Sequence, residues 1–165
     1  MPETTRIVIN TGPILALIAG LGDLSILNKL YEQVLVPAEV CDEILAGGKS
    51  GFGIQQFNKA SWLKKRKIKQ IIPHFLSNTL DLGEASVIQL ALSEKIDIVC
   101  IDETVGRRIA RLNGLKLTGS IGILIRAQKS GLIADLDSIL QRMRKNGIWV
   151  SNKVTNLALR QSKEK

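Results

Sequence analysis

The sequence predicts an α/β fold in which helices cover both faces of a central, mainly parallel sheet of four to five strands. Short β-branched runs alternate along the chain with helical stretches of about ten residues, the order that βαβ units produce. The runs Ile7-Val8-Ile9 and Val34-Leu35-Val36 are apolar throughout rather than alternating, as strands buried on both sides must be. A chain of 165 residues can form one such domain with a substantial core. With 45% hydrophobic but only 4% aromatic residues, that core has to be built from Leu, Ile, Val and Ala. One domain is expected over residues 1–161, with 162–165 as a frayed tail.

Taken in order, Arg6-Ile7-Val8-Ile9-Asn10 reads as a buried strand stopped by the turn Thr11-Gly12-Pro13, and Ile14 to Ala19 as a short helix. Asp23 can cap a second helix, Leu24 to Leu30. Val34-Leu35-Val36 is a second buried strand. Pro37 sits at a favourable first position for a helix that runs to Ala46 and stops at Gly47-Gly48. Signals weaken from Lys49 to Leu80: Ile54 to Ala60 can be helical, and Trp62 to Gln70 fits an edge strand or an exposed helix. Leu82-Gly83-Glu84 opens an apolar-faced helix through Ser93, and Ile96 to Ile101 is a third strand. Thr104 to Leu112 is helical, stopped by Gly114, and Leu115 to Thr118 is a fourth strand. Gly119-Ser120 leads a helix to Lys129. Asp135 to Lys145 is another, and Ser151 can cap a last one ending near Gln161.

Charge is unevenly spread. The net charge is +8, yet residues 1–43 carry two basic and six acidic side chains, whereas 44–80 carry seven basic and none acidic. A wholly basic segment points to a polyanionic partner, with nucleic acid the commonest. The longest apolar stretch, Pro13 to Leu21, is broken by Gly20 and falls far short of the ~20 residues a membrane span needs. With Glu3 and Arg6 near the start and no charged-then-apolar leader pattern, a cytoplasmic location and no membrane partner are expected. Cys41 and Cys100 stand far apart in apolar settings, so both read as reduced packing residues.

In a parallel sheet the ligand site lies outside the carboxyl ends of the strands. Asn10, Asp102, Glu103 and Thr118 would share that edge. Glu43, two turns into its helix, and Glu84, in the first turn of its own, can join them only if those helices lean over it. Two carboxylates ~5 Å apart repel by roughly 3 kcal/mol at an effective dielectric near 20. Clustering several is therefore costly unless a cation binds or protons are taken up. Oxygen donors without His or Cys favour Mg²⁺ or Mn²⁺. His74 is the only histidine, which leaves a histidine-based zinc site or a Ser-His-Asp triad hard to build. Metal-assisted phosphodiester hydrolysis suits these ingredients.

The stretches Val8-Ile9-Asn10-Thr11-Gly12-Pro13-Ile14-Leu15-Ala16-Leu17, Val36-Pro37-Ala38-Glu39-Val40-Cys41-Asp42-Glu43-Ile44, Leu82-Gly83-Glu84-Ala85 and Ile101-Asp102-Glu103-Thr104-Val105-Gly106-Arg107-Arg108-Ile109-Ala110 resemble the PIN-domain nucleases. The likeness is to a toxin-like prokaryotic subgroup often labelled as a domain of unknown function, and its blocks cover most of residues 6–131. That resemblance implies a PIN-like three-layer α/β/α sandwich and a metal-dependent ribonuclease of the toxin–antitoxin kind. It also implies a homodimer inhibited by a small antitoxin protein. The family's four acids would fall on Asn10, Glu43, Glu84 and Asp102, with Glu103 beside the last, and Thr118 matches a hydroxyl position. Nuclease members typically have Asp where this chain has Asn10. The resembling subgroup commonly shows Asn-Thr there.

Glu43, Glu84 and Asp102 are thus the candidate catalytic residues. Asn10, Glu43, Glu84, Asp102 and Glu103 are the candidate ligands for Mg²⁺ or Mn²⁺. Thr11, Thr118, Arg107, Arg108, Lys64, Lys65, Arg66 and Lys67 are candidates for holding RNA. Each has a plainer reading. Glu43 fits a solvated carboxylate, Glu84 a charge meeting a helix dipole, and Asp102 a helix cap. Arg107, Arg108 and Arg111 fit an ordinary charged outer face, and the Lys64 to Lys69 cluster a lysine-guarded edge strand. For Trp62 and Trp149 packing is the simpler role, ahead of base stacking. No Gly-x-Gly-x-x-Gly follows the first strand and no phosphate-loop lysine motif occurs, so no nucleotide cofactor is expected. Asn10 has no second acid two residues on, which argues against an aspartyl-phosphate phosphatase. The competing function is a regulatory module that keeps the fold and binds nucleic acid or protein without turnover, motivated by the neutral Asn10.

Overall fold

The computed structural model describes residues 5–48 and 50–163, so Glu3, Lys49 and the last two residues of the expected tail lie outside the described residues. Five strands form one all-parallel sheet: β1 (Arg6–Ile9), β2 (Gln33–Val36), β3 (Lys64–Lys65), β4 (Ile98–Cys100) and β5 (Lys116–Thr118), in the order β3-β2-β1-β4-β5. Val8 pairs with Leu35 on one side and with Val99 on the other, which makes β1 the central strand. Ile7, Val8, Ile9, Val34, Leu35, Val36, Val99 and Cys100 are all buried, which is why these runs carry no alternation.

Between β1 and β2 come α1 (Thr11–Leu21) and α2 (Ser25–Leu30), and between β2 and β3 come α3 (Ala38–Ala46) and α4 (Ile54–Lys59). The short α5 (His74–Ser77) and α6 (Leu82–Ser93) precede β4, and α7 (Thr104–Leu112) joins β4 to β5. After β5 the chain forms α8 (Ser120–Lys129), α9 (Leu136–Lys145) and α10 (Asn152–Lys163). The strand order turns back at β1, so β1 and β4 flank the switch point where such sheets place their ligand crevice. Helix α6 packs on β1 and β4, α1 packs on α8 and α9, and α3 touches both α1 and α6. That last contact carries Glu43 to the start of α6.

Three details differ from expectation. Thr11-Gly12-Pro13 is the first turn of α1 rather than a turn before it. Proline is tolerated there because the N–H it lacks would have had no partner in that turn. The 62–70 segment contributes only the two-residue edge strand β3, with Leu35 paired to Lys64 and Val36 to Lys65. Helix α10 reaches Lys163, where the Ser162 hydroxyl donates to Leu159 O at 2.9 Å, so half of the tail expected to fray is helical. Cys41 and Cys100 are free and buried, and burial pushes both thiols above their ordinary range, which keeps them inert. No described helix is long and apolar enough to cross a membrane.

Candidate active site

Asn10 follows β1 directly, and its N–H continues the ladder by donating to Cys100 O at 3.1 Å. The residue is 7% exposed, and its side-chain Oδ1 is buried with no hydrogen-bond partner. An amide oxygen in that state costs on the order of 1–3 kcal/mol, so its persistence calls for a reason. It faces a cleft of about 280 Å³ that is also lined by Glu43, Asp81, Glu84, Asp102 and Glu103. Five carboxylates, from α3, from the cap and first turn of α6 and from the segment after β4, share this space, and none of the residues lining it is cationic.

Local structure fixes each acid differently. Asp81 caps α6 by accepting the Glu84 N–H at 2.8 Å, and the Glu84 carboxylate in turn accepts the Asp81 N–H. This reciprocal arrangement is a capping box written in the sequence as Asp81-Leu82-Gly83-Glu84. Asp102 is held by the start of α8: its Oδ1 accepts Ser120 N–H at 2.8 Å and its Oδ2 accepts the Ser120 hydroxyl at 2.9 Å. Glu43 stands on α3 with one side open to solvent. The buried acid of α3, Glu39, belongs elsewhere, since its Oε2 accepts Gln70 N–H at 2.7 Å and anchors the loop after β3.

Gly83 opens the floor of the cleft. A Cβ there would fall 2.7 Å from Glu43 Oε2, 3.3 Å from Asn10 Oδ1 and 3.5 Å from Asp81 Oδ1. Three oxygens from β1, α3 and the α6 cap therefore surround one small volume that only a glycine leaves free. Burial raises the pKa of Glu84, which is 6% exposed, and the charges of Asp81, Glu103 and Glu43 raise it further. Glu43 is raised by its packed side first and by Asp81 second. The Thr11 hydroxyl lies close enough to oppose that rise, although it forms no well-aligned hydrogen bond. Both shifts come first from burial and then from the neighbouring carboxylates.

The chain thus gathers Asn10, Thr11, Glu43, Glu84, Asp102 and Glu103 at one cleft. Among the described residues, however, no three acidic, histidine or cysteine side chains stand close enough together to hold an ion as they are. The pairings above account for that: Asp102 is held by Ser120, and Asp81 and Glu84 are engaged at the cap of α6. A hard-oxygen ion still suits this donor set, because the buried Asn10 oxygen lacks a partner and carboxylate oxygens of Glu43 and Asp81 stand beside it. Asp81 is the residue that sequence reasoning missed; its signal was the Asp-x-x-Glu spacing at the head of α6, legible only as a cap.

The residues expected to hold RNA fare unevenly. Arg107 Nη1 donates to Ile101 O at 2.8 Å and Thr118 O at 3.2 Å, so this arginine clips the ends of β4 and β5 together. Arg66 makes a two-pronged pair with Glu94, with Nε donating to Oε2 at 3.0 Å and Nη2 to Oε1 at 2.6 Å. Lys65 donates to Phe57 O at 2.9 Å and lies over the Phe57 ring. Lys64, Lys67 and Arg108 are exposed, and Thr118 is half-buried beside Asp102 and Arg107.

A five-stranded all-parallel sheet flanked by helices, with its acids at the switch point, is the PIN-like architecture. The chain belongs to the PIN-domain family DUF3368, whose family model matches residues 6–164. PIN domains are generally nucleases and typically use divalent metals. Among curated proteins none matches this chain in sequence.

Proposed function

We propose that this chain is a divalent-metal-dependent endoribonuclease of the toxin–antitoxin type, acting on RNA in the cytoplasm. The observation that carries the reading is Asn10 Oδ1, a buried acceptor without a partner that faces five carboxylates. Asn10, Glu43, Glu84, Asp102 and Glu103, joined by Asp81, would hold Mg²⁺ or Mn²⁺. When bound, such an ion acidifies a coordinated water and offsets charge developing on the phosphate.

The remaining work falls to the chain itself. Glu43 and Glu84 line the cleft, where a carboxylate oxygen left free of the ion is placed to take a proton from a water. Asp102 keeps its orientation through Ser120. Exposed Arg108, Lys64 and Lys67 supply phosphate contacts at the surface, with Thr11 and Thr118 nearer the cleft. A homodimer and a small antitoxin protein complete the proposed assembly.

The test is cleavage of RNA by purified protein with Mn²⁺ or Mg²⁺ and none in chelator, lost in both Asp102→Asn and Glu84→Gln. Cleavage that survives both substitutions would sink the assignment and point to a contaminant. The neutral Asn10 favours a second reading, a module that binds RNA or protein without turnover. Asn10→Asp separates the two, since a gain of cleavage from an inactive parent would mark a weakened site.

A further inference from the structure

Trp149 is 86% exposed, against the packing role that suits most tryptophans and that partly buried Trp62 does fill. It is not a loose side chain on a mobile tip. Ile148 N–H donates to Met143 O at 2.9 Å and Arg144 Nε donates to Val150 O at 2.9 Å, so the backbone on either side is pinned. Val150 is buried and Ile148 packs on the core. The backbone that carries Trp149 is therefore held on both sides while its indole faces outward.

That indole walls a cleft of about 240 Å³, together with Ile121, Val154, Ser120 and Asp102. Asp102 also lines the carboxylate cleft, so the two spaces share one wall. The flank is basic: residues 136–163 carry Arg142, Arg144, Lys145, Lys153, Arg160 and Lys163 against the single acid Asp137. Next to Trp149 in the chain, Asn146, Asn152 and Lys153 are exposed and polar. An exposed indole on a stretch of chain rich in cationic residues has the ingredients with which proteins stack single-stranded bases.

We infer that Trp149 is a base-stacking platform that holds one unpaired nucleotide of a single-stranded RNA beside Asp102. The inference rests on the proposed nuclease reading for its choice of strand. It adds that the substrate is unpaired at this point, because a base already stacked in a duplex cannot reach the plate. Asp102 would then meet the backbone next to that base.

The experiment needs neither metal nor turnover. In Trp62→Phe protein Trp149 is the sole tryptophan and reports directly. It is titrated in EDTA with a 2′-O-methylated single-stranded octanucleotide. Saturable quenching is expected, with no quenching by the matching duplex. By anisotropy of a labelled strand, Trp149→Ala should bind about tenfold more weakly or worse while keeping the parent melting temperature, and Trp149→Phe should retain most of the affinity. A strand of abasic units should lose the same factor against the parent protein. The idea is overturned if binding leaves Trp149 unquenched, or if the alanine variant binds equally well. It also falls if Trp149→Ala turns a dimer into a monomer by sedimentation without changing strand affinity, which would make the plate a contact between copies. Quenching without cleavage in Mn²⁺ would remove the proposed activity and leave the platform, whereas cleavage without quenching would do the reverse.

Discussion

Gly83→Ala pits the stability of the fold against the capacity of its cleft. Gly83 lies in the first turn of α6 with an ordinary helical backbone, so nothing in its conformation demands glycine. Alanine is preferred over glycine in helices by up to about 1 kcal/mol. For a domain this size that is a gain in melting temperature of roughly 2–4 °C. The new Cβ, however, would fall 2.7 Å from Glu43 Oε2 where ordinary contact begins at 3.4 Å. The carboxylate end must therefore retreat by about 0.7 Å. Glu43 is a flexible side chain open to solvent on one side, so the fold absorbs that shift cheaply. Metal–oxygen distances tolerate only about 0.2 Å, so an ion in this cleft would lose Glu43 and meet a crowded Asn10.

The assay is thermal unfolding with Mn²⁺ and with EDTA. A ligand at about 100 times its dissociation constant stabilises a protein by roughly 2.7 kcal/mol, which corresponds to about 5–10 °C here. The parent should show that rise with Mn²⁺. Gly83→Ala should melt higher than the parent in EDTA and show little or no response to Mn²⁺. If the variant keeps the full Mn²⁺-dependent rise, the ion does not sit among Asn10, Glu43 and Asp81, and the reading of the cleft fails.

Two further expectations concern the same edge of the sheet. In EDTA, Glu84→Gln should raise the melting temperature at neutral pH. A carboxyl with a raised folded pKa stabilises fully below its unfolded value and loses that contribution as pH rises through the folded one. The advantage of the variant should therefore shrink to nothing as pH falls into the usual glutamate range, and a gain that is constant with pH would contradict the charge argument. Arg107→Ala should cost about 1.5–3 kcal/mol, the scale for hydrogen bonds made by a charged donor, measured by urea unfolding. An unchanged midpoint accompanied by weaker RNA binding would instead return Arg107 to phosphate contact.

Much of this architecture could be read along the chain because it depends on local pattern. Apolar runs such as Arg6–Ile9 and Gln33–Val36, the glycine stops at Gly47 and Gly114, and the proline before Ala38 report on neighbours a few residues away. The carboxyl-edge rule then placed Asn10 and Asp102 together, since β1 and β4 pair directly. What could not be read were groups whose partners come from distant segments. Asp81 went unread in the sequence, and only α3 packing on α6 brings Glu43 Oε2 to its side. The basic cluster looked uniform, yet Arg66 is taken by Glu94 and Lys65 by Phe57 O, leaving Lys64 and Lys67 exposed.

By itself, then, the sequence determined the order of elements, the parallel sheet and the segments that meet at its carboxyl edge, because hydrophobic periodicity and caps act over a few residues. Only the tertiary structure decided which oxygens share a volume, that Asn10 Oδ1 is left without a partner, that Arg107 binds strand ends, and that Trp149 faces outward. Those outcomes depend on packing between residues far apart in the chain, and no local pattern encodes a distance of that kind.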